Sequence, residues 1–345
     1  AEVPKDWKVG GRSIRLATHY ASGAGSGSTF AGAQSTIGAA ALVEWDLTTV
    51  DEYSLFRVSN KALSQSKGNK GALADVLQFA GDNALDRLKT NMHRAIYRDF
   101  GGAIGRIASG SGTTTLVLAN PEDIIHFQPG DVIVSDDTDG TAGGGDDAEY
   151  ITILSVDPSA GTITKSGGNW NANGNFAAND YLFQAYTFGL KVSGLAGWLP
   201  AAAPGATAFF GVNRSLNTDA LGGIRFVGDI ALHQTIEGAL LAAGARAQRG
   251  RAKPTHVFVH PLDFGQLAGE MGQRATYEKV MPKGMSPAEI GFQAIVLATG
   301  AGPVKVVVDV NCPYGVAYML QMDTWKLFGS QEPGFLTPLD GMDIL

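Results

Sequence analysis

The chain has 345 residues, 44% hydrophobic and 17% charged, with a formal net charge of −7. Its length exceeds the size at which one hydrophobic core stops growing, so two or more lobes are expected, and the low charged share suggests surface buried against other chains. The acid excess argues against a basic nucleic-acid reader, which needs clustered Lys and Arg. Neither an apolar signal region at the start nor an uninterrupted apolar run of ~18 residues occurs, so the chain reads as soluble and cytoplasmically made. Its first residue, Ala1, fits either methionine removal or cleavage of a longer precursor.

In chain order, ASGAGSGSTFAGAQSTIGAAA (Ala21 to Ala41) is nearly all small residues, too poor in apolar bulk to order as a core, and reads as a mobile loop. Strand-like sequence flanks it, making Arg12 to Leu63 a long excursion, either a linker or a reaching arm. Next, Leu73, Val76, Leu77, Ala80, Ala84, Leu88, Met92 and Ile96 recur at helical spacing. They predict an amphipathic helix over Ala72 to Phe100, about 43 Å long, stopped by Gly101 and Gly102. From Thr113 to Tyr186 short strands alternate with Pro, Gly, Asn and Asp clusters, a small antiparallel β module with a tight hairpin at Asp157 to Gly161. After Asp229, read as a helix cap, Ile230, His233, Ile236, Leu240 and Leu241 predict a helix with a basic end. The strand HVFVH, the helix PLDFGQLAGEM and the strands FQAIVLA, VKVVVDV and GVAYMLQM complete an α/β lobe. Cys312, the one cysteine, follows a strand beside Pro313 and reads as a small buried packing residue.

Chemical motifs are sparse. GAGSGS and GAIGRIASG do not sit between strand and helix, and no Walker lysine follows. SDDTDGTAGGGD (Ser135 to Asp146) nears a calcium loop at Asp137, Asp139, Gly140 and Asp146. Ser stands at its first position and Asp at its last, so a solvated hairpin tip is the competing reading. His256 and His260 lie four apart in a strand, where the helical two-histidine zinc arrangement is not available. The run Arg246, Arg249, Arg251 and Lys253 reads as a solvated helix end or as a contact to an acidic neighbour. No catalytic, cofactor-binding or metal-binding residue is assigned, and no enzymatic activity or cofactor is expected.

The stretch EYSLFRVSNKALSQSKGNKGALADVL leading into the long helix, GLAGWLPAAAPGATAFFGVNRSLNTDALGG, and PTHVFVHPLDFGQLAGEM with its closing strands together resemble the major capsid proteins of tailed double-stranded DNA bacteriophages. Within them Gly197, Trp198, Leu199, Pro200 and Asn213, Arg214, Ser215 match segments that precede the axial domain in that family. The resemblance implies an α+β, Hong Kong 97-type capsid fold. It would divide into an N-terminal arm (1–20), an extended loop (21–65), a spine helix with peripheral domain (66–112) and an inserted β domain (113–186). A return to the peripheral domain (187–228), an axial domain (229–328) and a C-terminal segment on the peripheral domain (329–345) would follow. By this resemblance Gly315 to Phe328 forms a hairpin returning the chain to the peripheral lobe. The implied function is self-assembly as hexamers and pentamers into an icosahedral head, located in the virion and made in the bacterial host cytoplasm. Implied partners are copies of the chain itself, a scaffolding protein or maturation protease, the portal, a decoration protein, and packaged DNA held weakly on the inner face, with no membrane. Lys61, Lys67 and Lys70 are not assigned to any inter-subunit cross-link. The competing class is a β-rich binding protein or hydrolase with an α/β domain.

Overall fold

The computed structural model describes residues 5–6, 13–55, 70–140, 149–228, 235–272, 295–300 and 302–329. After β1 (Lys5–Asp6), strands β2 (Ser13–Ala21) and β3 (Ala41–Thr48) pair antiparallel. Opposed residues share a face, so the register Ile14↔Leu47, Leu16↔Trp45 and Thr18↔Val43 gathers the apolar side chains on one side. Arg15, Glu44, Asp46 and His19 take the other. The tip between the strands is not a structureless loop: it holds helix α1 (Phe30–Ser35), capped by Thr29, whose Oγ1 accepts from the Gly32 amide at 3.1 Å. The Thr36 hydroxyl donates to the Ser26 carbonyl at 3.0 Å. The small residues act by letting backbones meet: a methyl on Gly23 would strike the Gly38 carbonyl, and one on Gly25 the Ala33 carbonyl.

Helix α2 (Lys70–Tyr97) has 28 residues and extends about 42 Å. Ala84, Ala95 and Tyr97 are buried, whereas Leu88, Met92 and Ile96 are only half-buried and Phe79 is exposed. The side chains of Leu73, Val76 and Leu77 lie outside the described residues.

Six strands then close a barrel in the order β4 (Gly105–Ser109), β5 (Thr115–Leu118), β8 (Thr162–Lys165), β7 (Ile151–Asp157), β6 (Val132–Asp136), β9 (Tyr181–Gln184). Closure leaves no free edge. Ile107, Leu116, Ile133, Ile163, Trp170, Phe176 and Leu182 fill it completely buried, and the Trp170 indole donates to the Thr114 carbonyl at 2.8 Å. The sequence reading began this module at Thr113, but its first strand lies upstream, at Gly105–Ser109. GRIAS is short and glycine-led, and only pairing with Leu182 and Leu118 makes it a strand. The hairpin at Asp157 forms as expected: Asp157 Oδ1 accepts from the Ser159 and Ala160 amides, and Gly161 takes φ +62°.

Short elements follow: α3 (Leu195–Trp198), β10 (Ala208–Phe209), β11 (Val212–Asn213) and α4 (Thr218–Gly222). The α/β lobe contains α5 (Ile236–Arg249), β12 (His256–Val259), α6 (Pro261–Gly272), β13 (Val296–Thr299), β14 (Gly302–Val308) and β15 (Tyr318–Leu320). Its sheet order is β13-β14-β12-β15, with β12 and β14 parallel. Leu240, Val257, Val259, Leu267, Leu297, Val304 and Val306 form the core. Helix α5 is capped by Thr235, whose Oγ1 accepts from the Gly238 amide at 3.0 Å; Asp229, Ile230 and His233 lie outside the described residues. The expected hairpin over Gly315 to Phe328 does not form. Tyr318–Leu320 pairs with β12, a 3-10 turn at Met322–Thr324 turns the chain out of the sheet, and β16 (Leu327–Phe328) pairs parallel with β1. The two apolar runs therefore serve different sheets, parted at the Asp323 break. Past Gly329, the segment expected on the peripheral domain lies outside the described residues.

Candidate assembly surfaces

The extended hairpin is held by an aromatic clamp that gathers residues distant in sequence. Phe209 and Val212 flank a two-residue turn, Phe210-Gly211, in which both residues take positive φ, +47° and +82°. Such a turn matches the strand twist and leaves the Phe210 ring half-buried. That ring stacks on Trp198 at 5.7 Å, while Phe209 meets Trp198 edge-on at 5.1 Å. Trp45 from β3 enters between them, 5.1 Å from Trp198 and 6.3 Å from Phe209, and is 5% exposed. Its indole donates to Thr18 Oγ1 at 2.9 Å, and the Asp46 amide donates to the Phe210 carbonyl at 3.0 Å. Arg214 closes the clamp from below: its guanidinium lies 3.9 Å from the Phe209 ring centre, and Nη1 donates to the Gly197 carbonyl at 2.8 Å. Asn213 Oδ1 accepts from the Ser215 amide and hydroxyl, fixing the turn that presents Arg214. Each aromatic pair contributes about 0.5–1.5 kcal/mol beyond area burial.

A second anchor lies at the base of the hairpin. Glu52, on the strap leaving β3, accepts from Lys191 Nζ at 2.5 and 2.7 Å and from Asn91 Nδ2 at 3.1 Å. Lys191 is 8% exposed, so either partner removed would leave a buried charge. Nearby Arg94 is pushed down to about 10 by burial and then by Arg98. Helix α2 and the residue that follows it are tied to the barrel module by Arg87–Asp131 at 2.5 Å and Arg98–Asp123 at 2.6 Å, and the helix to the α/β lobe by the Tyr97 hydroxyl donating to Asp309 Oδ2 at 2.8 Å. Burial, then that bond, holds the Tyr97 phenol far above its usual range.

Against this fixed frame stand exposed apolar side chains. At the tip Phe30 is 84% exposed and Ile37 is also outward, as is Leu42 in β3; on the strap Leu55 is 92% exposed, near Tyr53 in sequence. Single exposed apolar residues are ordinary; several along one hairpin and its strap are a candidate contact surface.

The other residues singled out by sequence fall as follows. Ser135 and Asp136 belong to β6 and are buried, and Gly140 packs against Gly101 at the end of α2. Residues 135–140 therefore run into a seam, with Asp137 exposed, and residues 141–146 lie outside the described residues. Asp139 is pushed up to about 6 by burial and by the Asp99 carboxylate, despite the bond it accepts from the Ala103 amide. His260 accepts from the Leu262 amide at 3.3 Å and meets Tyr314 edge-on, whereas His256 lies alongside Phe258; no group of three metal-ligating side chains occurs among the described residues. Cys312 is buried, facing the Phe258 and Val316 carbonyls, and its thiol is pushed up to about 12, burial first. Lys61 and Lys67 lie outside the described residues, as does the Lys70 side chain. Trp45, Glu52, Lys191 and Phe209 drew no attention in sequence; the FFG triplet bracketed by GWLP and NRS was the available signal.

No family model and no curated protein sequence matches this chain. Among solved structures, a chain of the cyanophage A-1(L) capsid asymmetric unit matches at a TM-score of 0.51 and 14% identity, covering 95% of this chain and 70% of that one. At that identity the likeness is one of fold: the chain has a mixed α+β fold that resembles that of a phage capsid protein.

Proposed function

We propose that this chain is a structural capsid subunit of a tailed-phage head. The observation that carries the reading is the match over 95% of its length to a capsid chain, coupled to a hairpin that projects apolar side chains from an aromatic clamp. In this reading β2, β3 and their tip are the extended loop, α2 is the spine, the barrel is an inserted domain, and the α/β lobe is the axial domain of a Hong Kong 97-type subunit. Phe30 and Ile37 of the tip, with Leu42 of β3, would be covered by the next copy, in hexamers and pentamers of an icosahedral shell around double-stranded DNA. The role is non-enzymatic. Scaffold, protease, portal and decoration partners would act at surfaces not yet assigned.

The test is negative-stain microscopy and sedimentation of the purified chain over a range of concentration and salt. Capsomers, tubes or shells are the expected result. A compact monomer under every condition would overturn the reading in favour of a binding protein or hydrolase.

A further inference from the structure

Helix α5 ends in four cations that the proposed function leaves unused. Arg246, Arg249, Arg251 and Lys253 are all exposed, and none makes an ion pair among the described residues. The helix dipole explains only part of this, because its favourable field for cations falls off within the last turn. Arg246 and Arg249 stand in that turn; Arg251 and Lys253 lie beyond it.

Arg251 is the informative residue. The helix closes with the Gly250 and Ala252 amides both donating to the Ala247 carbonyl and the Arg251 amide to the Gln248 carbonyl. This termination puts one residue in the left-handed region, a place that favours glycine. Arg251 occupies it at φ +61°, while the adjacent Gly250 sits at an ordinary φ of −83°. The backbone at this cation thus carries strain that a glycine would relieve. Beside the helix runs Ile224 to Gly228: Ile224 packs at Gly250, next to the cations, and Gly228 approaches Ala239 in the first turn.

We infer that this cation-rich end of α5 is a docking surface for an acidic face of a second copy of the chain. Charge selects that occupant. With these four of the 26 basic residues set aside, 33 acidic residues dominate the remainder, so a neighbouring copy presents mainly carboxylates. Subunits of −7 repel one another when packed side by side, and a local basic patch facing a neighbour's acids offsets that repulsion and fixes orientation. A duplex would meet the same overall negative field with only four cations to neutralise phosphates. The contact is heterologous, patch against a different patch, which is the type that closes into rings.

This inference rests on the capsid reading, and the experiment separates them. Arg251→Gly and the pair Arg246→Glu with Arg249→Glu are compared with the unaltered chain by thermal melting, sedimentation velocity at 50 mM and 500 mM salt, and duplex DNA retardation. Arg251→Gly should melt at an equal or higher temperature, yet need about three- to fivefold more protein to associate at low salt, as expected for losing one exposed ion pair. The double reversal should associate more weakly still, and both differences should shrink at 500 mM. Association unchanged in both variants overturns the inference while leaving the capsid reading standing. Loss of DNA retardation with association intact also overturns it, assigning the patch to nucleic acid. An unaltered chain that stays monomeric throughout overturns both.

Discussion

Arg214 works at one point in three ways, as ring cover, carbonyl donor and turn residue, and lysine cannot do all three. Its planar fork bonds the Gly197 carbonyl while its face lies on Phe209, whereas an ammonium offers a point charge without a plane. Arg214→Lys should lower stability by about 1–2 kcal/mol, seen as a reduced urea midpoint at unchanged slope. Asp139 has a different signature. Its folded value near 6 lies above the ordinary carboxylate value, so the folded chain binds that proton more tightly. The stability it contributes is complete below about pH 4 and is lost as pH rises through about 6. His126 acts in the opposite sense: burial, then Arg98 and Arg94, push it down to about 2. Its contribution is therefore present above its ordinary value near 6.5 and lost as pH falls. Comparison with Asp139→Asn, which keeps an acceptor for the Ala103 amide, isolates the first effect. The variant should be more stable by about 1 kcal/mol at pH 7, discounted for partial exposure, with the difference gone at pH 4; urea melts at several pH values check it.

Elements divide into those that make the subunit and those that project from it. Replacing residues 22–40 with Asn-Gly joins Ala21 to Ala41, already paired in register, by a two-residue turn suited to hairpins. The clamp on Trp45 is untouched, so the melting temperature should stay within a few degrees while closed particles disappear from micrographs; normal particles would remove the tip from assembly. The long helix, the strand-like sequence on either side of the tip, and the Asp157 turn were legible in sequence because periodicity, residue type and turn chemistry are local. Helix α1 was not legible, since FAGAQS has no apolar stripe and is ordered by Thr29, Thr36 and the close approach of glycines. The clamp was not legible either: residues 45, 198, 209 and 214 meet only after the chain has built a helix and a barrel between them. Likewise β15 and β16 read as one hairpin because both are apolar, and nothing local says that β1 claims the second.

At the scale of the whole molecule, the barrel is nearly a closed account. Gly105 pairs with Leu182 across β4 and β9, so the chain enters and leaves at neighbouring points. Replacing residues 105–184 by a short Gly-Ser bridge should leave a soluble chain with the α/β core intact, at a reduced melting temperature. Arg87 and Arg98 would lose Asp131 and Asp123 but regain water. An insoluble or molten product would show that the barrel shares the main core. Duplex DNA should bind the purified subunit more weakly than micromolar at physiological salt, because a chain of −7 offers no extended basic groove; tight, steeply salt-dependent binding would contradict a shell role.

The clamp also sets a mechanical ratio. Trp45 is a fulcrum four residues from Ala41, where the paired part of the hairpin ends, a lever of about 13 Å at roughly 3.3 Å per residue. A tilt of about 10° at the indole then moves the start of the tip by about 2 Å, more than half the width of a methyl contact. In the proposed capsid role, slight slack among Trp45, Trp198 and Phe209 would thus be magnified into a misaligned grip on a neighbouring copy, long before it registered as loss of fold.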